Sequence, residues 1–237
     1  MIDYGTIFLL WSYFGISVEE IVKDEEKAKE TVIEKAVARA YRDASSHVLS
    51  VVDEHKDDLK ALAMECIMKF ISELAKAAID KPRRAMNEKR VKFDELHKKT
   101  CHMLVEIYDC EKYYKVDKRG QMHKFTYGTA QKWVNMSLKY IYLLEEVLWG
   151  GFRISWISYF ATDFHIPVDS LIFKAMEDEF SIDVNKYLEG QTWSRIDNYE
   201  GYKELQDMIR NEVSQKNNFP IEWENPAWIR AARKKQG

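Results

Sequence analysis

The sequence predicts an all-α, multi-helix globular domain, and three observations carry that reading. Only 9 glycines and 4 prolines punctuate 237 residues, which leaves room for long uninterrupted helices. Apolar residues recur at helical spacing through several long windows. Hydrophobic residues make up 46% of the chain and charged residues 32%, a balance that suits a packed core beneath solvated helix faces and argues against disorder.

The elements follow in order. The start, MIDYGTIFLLWSYFG, is apolar but lacks a basic leader and a small-residue cleavage site, and its run is too short to span a bilayer. It reads as a buried strand or helix of the core, with membrane anchoring the less favoured alternative. Residues 18–44 are rich in Glu, Lys and Ala, with Val32, Ile33, Ala36, Val37 and Ala40 on one stripe. Ser17 and Glu20 are spaced for a capping box at its start. Residues 55–79 repeat the pattern through Leu59, Leu62, Ala63, Cys66, Ile67, Phe70, Ile71 and Leu74, and DKPRR ends it. A third helix runs from Phe93 to Tyr108. The polar, mixed segment CEKYYKVDKRGQMHKFTYG reads as a loop or short hairpin turning at Arg119-Gly120.

From Thr126 to Leu148 the apolar residues Trp133, Val134, Met136, Leu138, Ile141, Leu144, Val147 and Leu148 cover more than half the circumference, which marks a helix at the centre of its fold. WGGF closes it. Later helices run from Val168 to Glu179, Tyr199 to Val213 and Pro226 to Arg233. The chain is one helical domain, 1–237, or two helical lobes with a cleft between them and a boundary near residues 80–90 or 115–125. The net charge of −3 describes no global polycation, though it leaves room for a local basic groove. Three sparse cysteines, Cys66, Cys101 and Cys110, suggest reduced thiols and a cytoplasmic protein without a membrane partner.

The chemistry-bearing residues gather around the strongest helix. Lys132, Asn135 and Lys139 stand at i, i+3 and i+7 and so share one face of it. A partly buried lysine beside a second cation loses proton affinity, which suits it to act as an amine nucleophile. Further on, DFHIPVDSLIFKAMEDEF sets Asp169 at the head of a helix, because Pro167 disfavours helical geometry before it. A carboxylate there is stabilised by backbone N–H groups and the helix dipole. The same residues also read blandly: Asp169 as a plain N-cap, Lys132 as a solvated residue on a helix shoulder, and the tryptophans as core.

GTAQKWVNMSLKY followed by HIPVDSLIF resembles the helix-hairpin-helix DNA glycosylases, most of all their archaeal 8-oxoguanine branch, over roughly residues 126–176. The resemblance implies a DNA-repair glycosylase/lyase acting by base flipping on double-stranded DNA with a damaged base, and requiring no cofactor. It implies Lys132 as the nucleophile and Asp169 as the essential carboxylate. Trp133, Trp193 and Trp228 would wall the base pocket. Lys124, Gly128 and Lys139 would meet the DNA backbone, with Arg230, Arg233, Lys234 and Lys235 as further phosphate contacts. The ending NNFPIEWENPAWI is similar in style to that branch, with Glu222, Glu224 and Trp228 the loosely matching positions. The chain departs from the superfamily in having only Gly128 where a two-glycine turn is usual. FDELHKKTC, TYGTAQKWVNMSLKY and TWSRIDNYEGY also resemble a bacterial family of helical proteins, which brings no function with it.

Other constellations compete. Arg42 and His47 in RDASSH resemble the Arg-x4-His motif of HEPN-type ribonucleases, in which Arg binds phosphate and His moves a proton. His97, Cys101, His102 and Cys110 offer a metal-like grouping, but no CxxC or HExxH spacing supports it, and no metal is expected. Gln206 and Arg210, four apart, could face a cleft, though a solvated face is the favoured reading. A non-enzymatic helical interaction protein is the remaining reading; it would scatter these groups and expose an apolar patch.

Overall fold

A computed structural model describes residues 3–46, 48–80, 85–151, 154–188, 190, 192–216 and 218–236. In chain order the helices are α1 (Tyr4–Leu9), running into a π-helical turn at Leu10–Phe14, α2 (Val18–Lys23), α3 (Glu25–Ser45), α4 (Asp53–Asp80), α5 (Met86–Ile107), α6 (Tyr127–Trp149), α7 (Ser155–Phe160), α8 (Ser170–Phe180), α9 (Asn185–Leu188), α10 (Tyr199–Gln215) and α11 (Pro220–Gln236). The fold is all-α. Among the described residues β-pairing is limited to two isolated antiparallel bridges, Val51 with Tyr114 and Val116 with Met122.

α6 is the axis of the packing, as its all-round apolar pattern predicts. α3 lies along it, and α5 packs on it as well. Trp133, Val134, Leu138 and Ile141 are fully buried. Burial of each aliphatic side chain contributes roughly 1.5–3 kcal/mol. Trp133 also donates its indole N–H to the Val37 carbonyl at 2.9 Å and packs on the Tyr41 ring at 4.8 Å, which fixes α3 against α6. Nearly all of the buried apolar residues join one cluster that runs from Leu10 to Ala231. Among the described residues no helix is long and apolar enough to cross a membrane.

Several elements differ from the sequence expectation. The apolar start is not core: Tyr4 is 90% exposed, and Phe8, Leu9 and Trp11 also face outward, with only Leu10 buried among the described residues of that arm. The arm is held instead by Tyr13, whose ring lies 3.7 Å beneath the Arg39 guanidinium and whose hydroxyl meets that of Tyr140 at 3.1 Å. The single helix expected over 18–44 is two helices. Asp24 takes up extended geometry and accepts from the Glu26 and Lys27 N–H groups, so it caps a new start, whereas Ser17 makes no side-chain cap bond. α5 begins at Met86 and α11 at Pro220, both ahead of the expected starts. Proline suits a first helical turn, where its missing N–H is not needed.

Candidate functional site

The site is built on a buried segment with no regular structure, Phe164 to Val168, which leads into α8. Phe164, His165, Ile166 and Val168 are all fully buried. Buried backbone N–H and C=O groups must find partners, and here side-chain amides supply them. Gln206 on α10 accepts from the Ile166 N–H at 3.1 Å and donates to the Ile166 carbonyl at 3.0 Å, imitating a strand neighbour. Asn135 on α6 donates to the same carbonyl at 3.0 Å, and Gln131 donates to the Val168 carbonyl at 3.3 Å.

The segment delivers Asp169, which divides its two oxygens between two tasks. Oδ1 accepts from the Leu171 and Ile172 N–H groups, both at 3.0 Å, and so caps α8. Oδ2 faces the other way, 3.3 Å from Lys132 Nζ and 3.2 Å from the Trp228 indole nitrogen, which donates to it. Lys132 is 9% exposed and lies over the Trp193 ring, its ammonium 4.2 Å from the centroid. Trp193 is set by a close approach at Gly128. A Cβ there would come within 1.8 Å of the Trp193 carbonyl oxygen, and the Gly128 N–H donates to the Ile196 carbonyl at 2.9 Å.

These groups line a cavity of about 650 Å³. Lys132, Met136, Lys139 and Tyr140 face it from α6, Asp169 and Leu171 from the start of α8, and Glu224 and Trp228 from α11. Lys139 pairs with Glu224 at 2.5 Å. Burial pushes the Glu224 carboxyl upward against the opposing charge of Lys139. At the other end Tyr140 donates its hydroxyl to Asp43, which Arg39 also meets at 3.3 Å. Burial first, and then the Asp43 carboxylate, holds the Tyr140 hydroxyl far above its ordinary range, so it stays a donor. The cations facing the cavity are therefore already paired with carboxylates. The space suits an apolar or flat polar group with hydrogen-bonding edges better than a phosphate.

Behind the segment lies a buried polar cluster. Asn135 donates to Gln131 and to the Tyr202 hydroxyl, both at 2.9 Å, and accepts from His97 at 2.9 Å. His165 bridges the Tyr202 hydroxyl at 2.9 Å and Asp94 at 3.0 Å. Arg210 binds Asp94 through both terminal nitrogens, at 2.8 and 3.2 Å, and also donates to the Asp163 carbonyl. Burial alone would raise the Asp94 carboxyl, but His165 and Arg210 outweigh it and hold it well below the carboxylate range.

Of the residues singled out in the sequence, Lys132, Asp169, Lys139, Glu224, Trp193 and Trp228 meet at this one cavity. Trp133 does not; it is a core residue bonded to Val37. Gly128 offers no free N–H to a phosphate, because Ile196 takes it. Lys139 is enclosed and paired rather than facing a backbone, and Lys124 pairs at the surface with Glu111 at 2.9 Å. Asn135 shares the helix with Lys132 but points into the buried cluster, and Gln206 and Arg210 are buried there rather than solvated. Glu222 accepts from Tyr142 at 2.9 Å on the exposed side of α11. Arg230 pairs with Glu179, and Lys234 with Asp178 at 2.9 Å. Arg233 is exposed, and the Lys235 side chain lies outside the described residues.

Arg42 is exposed on α3, while His47 lies outside the described residues. His97 and Cys101 are buried 3.8 Å apart, and His102 sits edge-on to Tyr127. Among the described residues no group of three or more His, Cys, Asp or Glu could hold a metal. The sequence reading missed Gln131, Tyr140, Asp43, Asp94 and His165. Their only signal was polar character at positions on otherwise apolar helix faces or beside Pro167. Comparison with protein-family models, curated proteins and solved structures finds no match.

Proposed function

We propose that this chain is a DNA-repair glycosylase with lyase activity that excises an oxidised purine through a Schiff base on Lys132. One observation carries the reading: Lys132 and Asp169, 37 residues apart, stand 3.3 Å from each other on the wall of an open cavity flanked by Trp193 and Trp228. A damaged nucleotide would swing out of the duplex at a cost of a few kcal/mol and place its base between the flat aromatic walls. Lys139, Glu224 and Tyr140 offer donors and acceptors to its edges.

The chemistry balances with these groups alone. As the bond between C1′ and the base nitrogen breaks, the base leaves with the electron pair, and the Lys132 ammonium gives it a proton. The Asp169 carboxylate opposes the positive charge growing on the sugar. The neutral amine then bonds to C1′. Ring opening follows: the nitrogen lone pair expels the ring oxygen, Asp169 relays the amine proton to it, and a protonated Schiff base remains. The Asp169 carboxylate, free again, then takes a proton from C2′; the C–H electron pair forms a carbon–carbon double bond and the 3′ phosphate leaves with the C3′–O pair, which cuts the strand.

The test is borohydride trapping on duplexes carrying 8-oxoguanine or other lesions. A covalent adduct that disappears in Lys132→Gln is the expected result. No adduct across a broad lesion panel, from folded protein, would overturn the reading. The exposed Tyr4, Phe8, Leu9 and Trp11 favour a second reading, a helical interaction protein, to which that negative result would shift the weight.

A further inference from the structure

Positive charge inside the cavity is already paired, Lys132 with Asp169 and Lys139 with Glu224, so the phosphates of a bound duplex must be held outside it. We infer that the hairpin between α5 and α6 is a phosphate-gripping arm that holds double-stranded DNA beside the cavity mouth; this rests on the DNA-repair reading. In a chain of net charge −3, residues 111–124 carry Lys112, Lys115, Lys118, Arg119 and Lys124 against only Glu111 and Asp117. Lys115 and Lys124 are bridged to Asp53 and Glu111. The side chains of Lys118 and Arg119, at the tip, are exposed and pair with no carboxylate among the described residues.

The tip is shaped rather than loose. Asp117 accepts from the Arg119 and Gln121 N–H groups at 2.8 and 2.9 Å, Val116 pairs with Met122, and Gly120 takes the left-handed conformation that closes the turn, φ 74°. The hairpin is rooted on both sides in the walls of the cavity. Lys115 donates to the Ser50 carbonyl at 2.8 Å and Ser50 donates to that of His123 at 3.3 Å, and Ser46 and Val48 of the same stretch face the cavity. At its other end Phe125, stacked on Tyr108 at 4.2 Å, leads into the Thr126 cap of α6. Lys132 follows less than two turns later, about 9 Å along the axis. A DNA duplex, with one negative charge per ~1.7 Å of axis, is the occupant this charge fits. A grip of this kind acts through side-chain cations and does not need the main-chain N–H that Gly128 has given to Ile196.

The experiment is fluorescence anisotropy of a labelled undamaged DNA duplex, titrated with the full chain over a range of salt concentrations, alongside borohydride trapping on the lesion duplex. Lys118→Ala/Arg119→Ala is expected to weaken binding and to reduce the slope of log affinity against log salt by about two, one for each lost phosphate contact. Lys118→Glu/Arg119→Glu is expected to weaken binding further. Unchanged affinity and slope in both variants would overturn the hairpin grip while a wild-type adduct kept the Lys132 chemistry standing. No duplex binding by the wild type would overturn the grip as well, and an absent adduct beside it would remove the repair reading too.

Discussion

Replacing Asp169 separates the two tasks of its carboxylate. In Asp169→Asn one oxygen survives and can still accept from Leu171 and Ile172, so the cap, worth about 1 kcal/mol, is kept. The other oxygen becomes an NH2 group facing the Lys132 ammonium and the Trp228 N–H, three donors with no acceptor among them. At 3.3 Å the pair's gross attraction is ~5 kcal/mol at an effective dielectric of 20. Desolvation cancels most of that, and both side chains keep some solvent contact, 11% and 15% exposed. The net loss should be about 2 kcal/mol, in the range of a hydrogen bond to a charged group. Asp169→Ala loses the cap as well and should cost about 3 kcal/mol. With a urea m-value near ~2.5 kcal/mol/M, the midpoints should fall by about 0.8 M and 1.2 M. Both variants should abolish the borohydride adduct. If Asn were as stable as wild type, the contacts of the outward oxygen would not exist in solution. If Ala were no worse than Asn, the cap would be worth nothing. An adduct formed at the wild-type rate by Asp169→Asn would remove the carboxylate from the chemistry.

Two further outcomes test the frame around the site. Gly128→Ala puts a Cβ 1.8 Å from the Trp193 carbonyl oxygen, so α6 and the Trp193 segment must part by more than 1 Å. The helix gains about 1 kcal/mol of propensity but loses more to the overlap, for a net cost of about 2 kcal/mol. A thermal midpoint lower by roughly 4–8 °C is expected, and an unchanged one would contradict the close approach. The second outcome concerns pH. Burial holds His97 at about 4 and His165 well below its ordinary value, with Arg210 adding to the depression of His165. Between about pH 6.5 and 4 the unfolded chain binds protons that the folded chain refuses, so stability should fall as pH drops through that window. The slope approaches ~1.4 kcal/mol per pH unit for each histidine. Glu224 and Asp163, both raised by burial, act in the opposite sense toward the lower end. Urea midpoints that stayed flat from pH 7 to pH 5 would refute the buried neutral histidines.

What the sequence made legible follows from how local each signal is. The apolar pattern of α6 and the Pro-Val-Asp start of α8 are written within a few turns, and both elements stand where that pattern puts them. The break at Asp24 was legible in principle, since Asp before Glu-Glu is capping chemistry, but the Glu/Lys/Ala run on either side masked it. The exposure of Tyr4, Phe8 and Trp11 depends on what packs against the arm, and no local pattern carries that information. The same holds for Gln206 and Arg210. Four apart on an amphipathic helix they look solvated, and only pairing with Ile166, 40 residues away, and with Asp94, 116 residues away, makes their burial favourable. Lys132 and Asp169 could be named from sequence, but their meeting depends on this same long-range network.

A helix cap needs one carboxylate oxygen and no scaffold, since capping residues commonly sit at the surface and accept from N–H groups of their own helix. Asp169 is held differently. The segment before it is fully buried, has no sheet neighbour, and draws on Gln131, Asn135 and Gln206 to satisfy its backbone. Those amides are tied in turn to Tyr202, His97, His165, Asp94 and Arg210. Such a network is costly wherever one partner is missing, and its effect when complete is to fix position. For Oδ1 that fixity is superfluous, because the cap geometry follows from α8 itself. It matters for Oδ2, whose distance to Lys132 is set by how the Ile166 segment lies against α6 and α10. The arrangement makes physical sense if the quantity being controlled is the placement of a carboxylate relative to an amine, which is what the proposed chemistry requires.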